Sequence, residues 1–158
     1  MHSTGSTESS GEKASLEIFE TDDWDFCQEH LEAVSRTFSL PISMLEGELR
    51  VATTCGYLLC RIADSIEDHP DLEDETRQSL LRRFSAVLEE GSSADGFTQL
   101  AERHRLDCVE WNLACRLPRV LRVFEDALSE RSQRICVQWI GEMARGMELY
   151  GRRQPDDR

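Results

Sequence analysis

Lysine is almost absent from this chain. Lys13 is the single one, so 17 of the 18 basic residues are arginine, set against 31 acids and a net charge of −13. That sign excludes general nucleic-acid binding, which works by displacing counterions from phosphates with positive charge. It fits a salt-adapted host, or codon usage that favours arginine, and speaks to solubility more than to fold. Long apolar runs are missing too: none approaches the ~20 residues that span a bilayer, so no transmembrane segment is expected. A charged-then-apolar leader is also lacking at the N-terminus, which gives no sign of export and points to the cytoplasm.

Cysteine is present but unpaired in pattern. The six, at 27, 55, 60, 108, 115 and 136, include no C-x-x-C pair and fall mostly at apolar helical positions. They read as small buried hydrophobes in a reducing compartment, neither a disulfide frame nor a zinc site. Sustained period-two alternation is absent, which excludes a sheet protein.

What remains is helical periodicity over a chain of 158 residues, one domain by length. Residues 1–18 are polar and predicted to be disordered, 19–151 form the folded part, and 152–158 are a polar tail. A helix starts at Thr21 or Asp22 with Trp24, Cys27, Leu31 and Val34 on one face, and Pro41 should interrupt the pattern by pushing Leu40 away from helical angles. A long helix is expected from Leu45 to Asp68, and a third from the Asp71–Glu75 stretch to Glu90. Further apolar stretches run over Phe97–Leu100 and Leu106–Cys115. Pro118 opens a helix at its first turn, and Ser129 or Ser132 starts the last. The fold class is all-α, a bundle of about six helices.

The long helix carries the chemistry. At roughly 100° per residue, Tyr57, Arg61, Asp64 and Asp68 lie within about 60° of one another, while Val51, Cys55, Leu58, Leu59, Ile62 and Ile66 crowd the other side. Two carboxylates four residues apart can hold a divalent cation, which takes oxygen ligands and often shares them with phosphate. Arg61 can fork onto phosphate oxygens, and Tyr57 can donate a hydrogen bond or face a cation with its ring. The plain alternative is a solvated stripe in which Arg61 pairs with Asp64. Against it, Asp64, Glu67 and Asp68 sit at a helix C-terminus, where the macrodipole disfavours acids unless a cation neutralises them.

A second block precedes this helix. Ser35-Arg36-Thr37-Phe38, followed by Tyr57-x-x-x-Arg61-x-x-Asp64-x-x-Glu67-Asp68, resembles the squalene and phytoene synthase family in wording, order and spacing. Met143-Ala144-Arg145-Gly146-Met147 is similar to that family's later Gly-Met helix. The resemblance implies an isoprenoid-synthase-like helical fold and head-to-head condensation of two isoprenyl diphosphates through a cyclopropyl diphosphate. It implies Mg²⁺ on Asp64 and Asp68, with Glu67 as a direct or outer ligand. It further implies substrate diphosphate on Ser35, Arg36, Tyr57 and Arg61, Tyr57 and Arg61 in catalysis, and Phe38 in the prenyl pocket. NADPH would be required if the product is squalene, and an apolar product would bring the enzyme to a membrane surface.

Family members carry a second aspartate-rich helix and an aromatic-rich Tyr-Cys block, and neither is found here. Asp71, Asp74 and Glu75 have suggestive spacing in the wrong context and read as a helix cap, and Tyr150 belongs to the Gly-Met helix. The expectation is therefore an incomplete bundle, a fragment or one half of a split enzyme, inactive without a complementary C-terminal polypeptide. Farnesyl diphosphate and a squalene-type reaction lead. Geranylgeranyl diphosphate and phytoene, or a non-catalytic assembly protein, are the alternatives.

Overall fold

One helix touches almost everything else. In the computed structural model, which describes residues 19–153, the helix Gly47–Asp68 packs against six of its seven helical neighbours. In chain order the elements are α1 (Asp22–Val34), α2 (Arg36–Ser43), α3 (Gly47–Asp68), α4 (Asp74–Glu90), α5 (Asp95–Arg103), α6 (Val109–Cys115), α7 (Leu117–Ala127) and α8 (Glu130–Arg153), with no strand among the described residues. The central position of α3 follows from its sequence. Val51, Thr54, Cys55, Leu58, Leu59, Ile62, Ala63 and Ile66 recur at three- and four-residue spacing and are all buried. Only a narrow strip is left to face outward.

The described residues form eight helices, more than the sequence pattern resolves. The expected 1–18 disorder lies outside the described residues, as does the expected 152–158 tail from residue 154 onward, while residues 152 and 153 continue the last helix. Thr21 opens α1 by accepting from the Trp24 N–H, and Asp22, Asp23 and Asp25 occupy the first turn, where the dipole favours them. Ser35 then breaks the chain. Its backbone is extended (φ −158°, ψ 95°), its N–H donates to Leu31 O, and its Oγ accepts from the Phe38 N–H to start α2. The interruption expected at Pro41 thus comes earlier, and Pro41 lies inside α2. A two-turn helix at the surface makes few i−4 bonds, so the proline forfeits only the one that Thr37 would accept. The Met44 N–H, donating to Pro41 O at 3.2 Å, closes the helix.

The α3 helix starts at Gly47, two residues later than the periodicity suggests, because Glu46 is extended and Gly47 takes a left-handed φ of 58°. It stops at the expected Asp68, where His69 turns extended ahead of Pro70. The stripe Leu80, Leu81, Phe84, Val87 and Leu88 buries α4 as its spacing predicts. Gly91, at φ 65°, caps α4 by returning its N–H to Ala86 O. Pro118 falls in the first turn of α7, and Ser129 caps α8 by accepting from the Ser132 N–H.

Cross-helix polar contacts tie this frame together. Asp23 of α1 accepts from Arg119 at 2.8 Å and Arg122 at 2.7 Å on α7. The Arg122 hydrogen bond, joined by Arg119, holds the Asp23 carboxyl below its usual range despite partial burial. Glu48 accepts from the Ser129 N–H at 2.6 Å, and that bond likewise lowers its pKa. The Trp111 indole, fully buried, donates to Ala101 O at 3.0 Å. All six cysteines are free; Cys27, Cys55 and Cys115 are buried, while Cys108 departs from the apolar reading and is exposed.

Candidate functional site

The outward strip of α3 is the strip the sequence singles out. Tyr57, Arg61, Asp64 and Glu67 are half-buried along it, and Asp68 is exposed at its end. The Arg61 guanidinium lies 3.9 Å from Asp64 and 3.6 Å from Glu110, which α6 brings in from the first turn of its own helix. Both separations are ion-pair distances, longer than hydrogen bonds. The Arg61 Nε is buried with no partner, a rare condition for such a donor. The guanidinium is therefore held by charge while its donors stay unspent.

The two sequence blocks meet across α2 and α3. The Phe38 ring lies 5.6 Å from the Tyr57 ring, centre to centre. Phe38 is 53% exposed, so it covers the tyrosine from the open side. Ser35 acts locally as the α2 cap, and Arg36 is exposed in the first turn of that helix. The structure thus joins Phe38 to Tyr57 and Arg61 to Asp64, while Ser35 stays the cap of α2 and Arg36 lies exposed in its first turn.

The acids at the end of α3 show the expected strain. Partial burial raises the Asp64 carboxyl, Arg61 counters it, and Asp68 adds a second upward push. Glu67 is raised by burial and then by Asp68 and Asp64, with Arg77 opposing. Arg77 of α4 also caps the α3 terminus. Its Nε donates to Ile66 O at 3.3 Å and an Nη to His69 O at 2.9 Å, filling carbonyls that the helix leaves open. Close by, buried His69 donates from Nε2 to His104 O at 2.9 Å and accepts the Asp71 N–H on Nδ1, and its ring packs edge-on to Trp111. The expected capping cluster for α4 is met only in part: Asp74 and Glu75 lie in its first turn, where the dipole favours acids, but the cap position is Glu73 and makes no side-chain cap bond, and Asp74 pairs instead with Arg77 at 2.9 Å.

Among the described residues no three His, Cys, Asp or Glu side chains converge as a metal-holding group. A cation here would rest on the Asp64 and Asp68 oxygens and fill its other positions from phosphate and water. The all-oxygen donor set and the partly desolvated, mutually repelling carboxylates suit a hard divalent ion. Glu110 and Arg77 escape a reading of the linear motif, since both come from other helices and neither has a spacing signature.

Sequence comparison supports the same identification. The sequence profile described as Squalene/phytoene synthase matches residues 31–157. The chain is 30% identical to the squalene synthase of Rattus norvegicus over 124 residues, 78% of this chain and 28% of that protein. It is 38% identical to squalene synthase 1 of Arabidopsis thaliana over 73 residues, 46% of this chain and 18% of that one. Against squalene synthase BSS of Botryococcus braunii it is 30% identical over 126 residues, 80% of this chain and 26% of the relative. The chain therefore spans less than a third of the length of the curated relatives it matches. Residues 31–157, which carry both blocks, place the chain in the squalene/phytoene synthase family, whose N-terminal portion it represents.

Proposed function

We propose that this chain is the Mg²⁺-dependent, diphosphate-binding part of a squalene-synthase-type transferase that condenses two farnesyl diphosphates head to head through presqualene diphosphate. The observation that carries the reading is Arg61, charge-held on the open strip beside Asp64 with a buried donor unspent. Asp64 and Asp68 would hold Mg²⁺, with Glu67 beside them, and the ion would neutralise the departing diphosphate. Arg61, Arg36 and Ser35 would take diphosphate oxygens. Tyr57 would hydrogen-bond the same group and, with Phe38, present ring faces to the allylic cation. The NADPH-dependent reduction that squalene formation adds is assigned to no residue of this chain.

The prenyl chains need a dry enclosure, and a complementary C-terminal portion would supply its other wall. The exposed Phe38 and Leu40 of α2, Met44 just after it, and the exposed Ile135 and Trp139 of α8 are apolar surface for such a wall to cover. The squalene reading leads over phytoene because the relatives compared above are squalene synthases. Combining the chain with a family C-terminal portion, Mg²⁺ and farnesyl diphosphate should release pyrophosphate and give a C30 product. A C40 product from geranylgeranyl diphosphate would select phytoene synthesis. No pyrophosphate release from either substrate would leave an assembly role.

A further inference from the structure

Arg61 stands between two acids. Asp64, one turn along the same helix, is within reach of it, and an i,i+3 pair can close to hydrogen-bond distance, as Arg77 and Asp74 do at 2.9 Å. Here the gap is 3.9 Å, and Glu110, arriving from α6, stands nearer at 3.6 Å. The arginine side chain is 32% exposed and Glu110 35%, so each remains partly open to solvent and neither is locked by packing. The consequence falls on Asp64. A carboxylate that is not tied up by its neighbouring guanidinium keeps both oxygens for a cation, and a guanidinium that is not tied up by Asp64 keeps donors for an anion.

We propose that Glu110 is a positioning residue: it draws Arg61 off Asp64, so that the arginine stays free for diphosphate and the aspartate for the metal. The inference rests on the functional reading above and deepens it. A residue on a separate helix is suited to the task, because an acid on α3 itself would add to the repulsion around Asp64 without pulling in another direction. The packing of α6 against α3 fixes where Glu110 can reach. Glu110 also sits in the first turn of α6, where the dipole favours an acid, so its placement costs the fold little.

The experiment compares the full chain with its Glu110→Gln variant. One readout is the Nε–Hε resonance of Arg61 in a ¹H–¹⁵N spectrum, identified by its loss in Arg61→Lys. The other is calorimetric affinity for pyrophosphate with Mg²⁺. The resonance should shift in E110Q as Arg61 closes on Asp64, and affinity should fall about three- to fivefold, the range of a partly exposed ion pair. E110Q with an unmoved Arg61 resonance overturns the proposal. So does a moved resonance with affinity equal to wild type, or tighter. If the resonance moves but the wild-type chain takes up no Mg²⁺–pyrophosphate, the contact stands and the diphosphate reading fails.

Discussion

Replacing Asp64 and Asp68 together by asparagine should reverse the order of melting temperatures between metal-free and loaded protein. Without metal, the two acids are a burden. They sit in the last turns of α3 against its dipole, four residues apart, and Asp64 is pushed up by burial and by Asp68. Each acid costs about 0.3–1 kcal/mol against the dipole and the pair about 0.2–0.5 kcal/mol in mutual repulsion. Asp64 is 40% exposed, so solvent screening discounts these terms, and the Arg61 contact at 3.9 Å gives little back. The net gain for the double variant is about 0.5–1 kcal/mol, or ~2–3 °C in EDTA. With Mg²⁺ and pyrophosphate at a hundred times the dissociation constant, the wild-type chain gains about 2.7 kcal/mol, or ~8 °C, and the variant gains nothing. Thermal melts followed by circular dichroism in the two buffers read both arms. A variant that melts below wild type in EDTA, yet rises equally with Mg²⁺ and pyrophosphate, would refute the charge argument and the metal site together.

Three further outcomes test the frame. Asp23→Asn should cost about 1–2 kcal/mol at neutral pH, since it removes the charge and puts an amide donor where one of the two oxygens accepts from the Arg119 and Arg122 guanidinium groups. Because the folded Asp23 pKa is lowered, its contribution is complete above the unfolded value and is lost as pH falls toward the folded one. Denaturant melts of wild type and variant should therefore converge on acidification. Arg77→Met should lower stability by about 1–2 kcal/mol by leaving Ile66 O and His69 O without their donor, with no change in the helical circular dichroism of the folded state. Leu59→Ala should cost about 2–5 kcal/mol in urea melts, since Leu59 is fully buried on the helix that the other elements pack around.

The face of α3 was legible because one periodicity served both purposes. Its buried residues recur at three and four, which leaves a single strip, and Tyr57, Arg61 and Asp64 could lie nowhere else. Phe38 against Tyr57 was readable only through family resemblance, since nothing in spacing says that the chain turns back at Ser35. That turn hides in one extended serine whose hydroxyl caps the next helix, while Pro41, the louder local signal, is absorbed within that helix. The breaks around His104–Cys108 and at Arg116 are louder, since the separate apolar stretches Phe97–Leu100 and Leu106–Cys115 and the helix opened by Pro118 already flank them. Glu110 and Arg77 belong to the site through tertiary packing alone.

Because α3 is gripped on nearly every side and α2 rests on it as two turns with a proline inside, the pair should differ in how readily they open. Amide protons along the Asp64 turn would exchange only when the whole bundle melts, whereas those of α2 would exchange through frequent, cheap excursions. Ser35, Arg36 and Phe38 thus travel on a latch, and Tyr57, Arg61 and Asp64 form the doorpost it swings against.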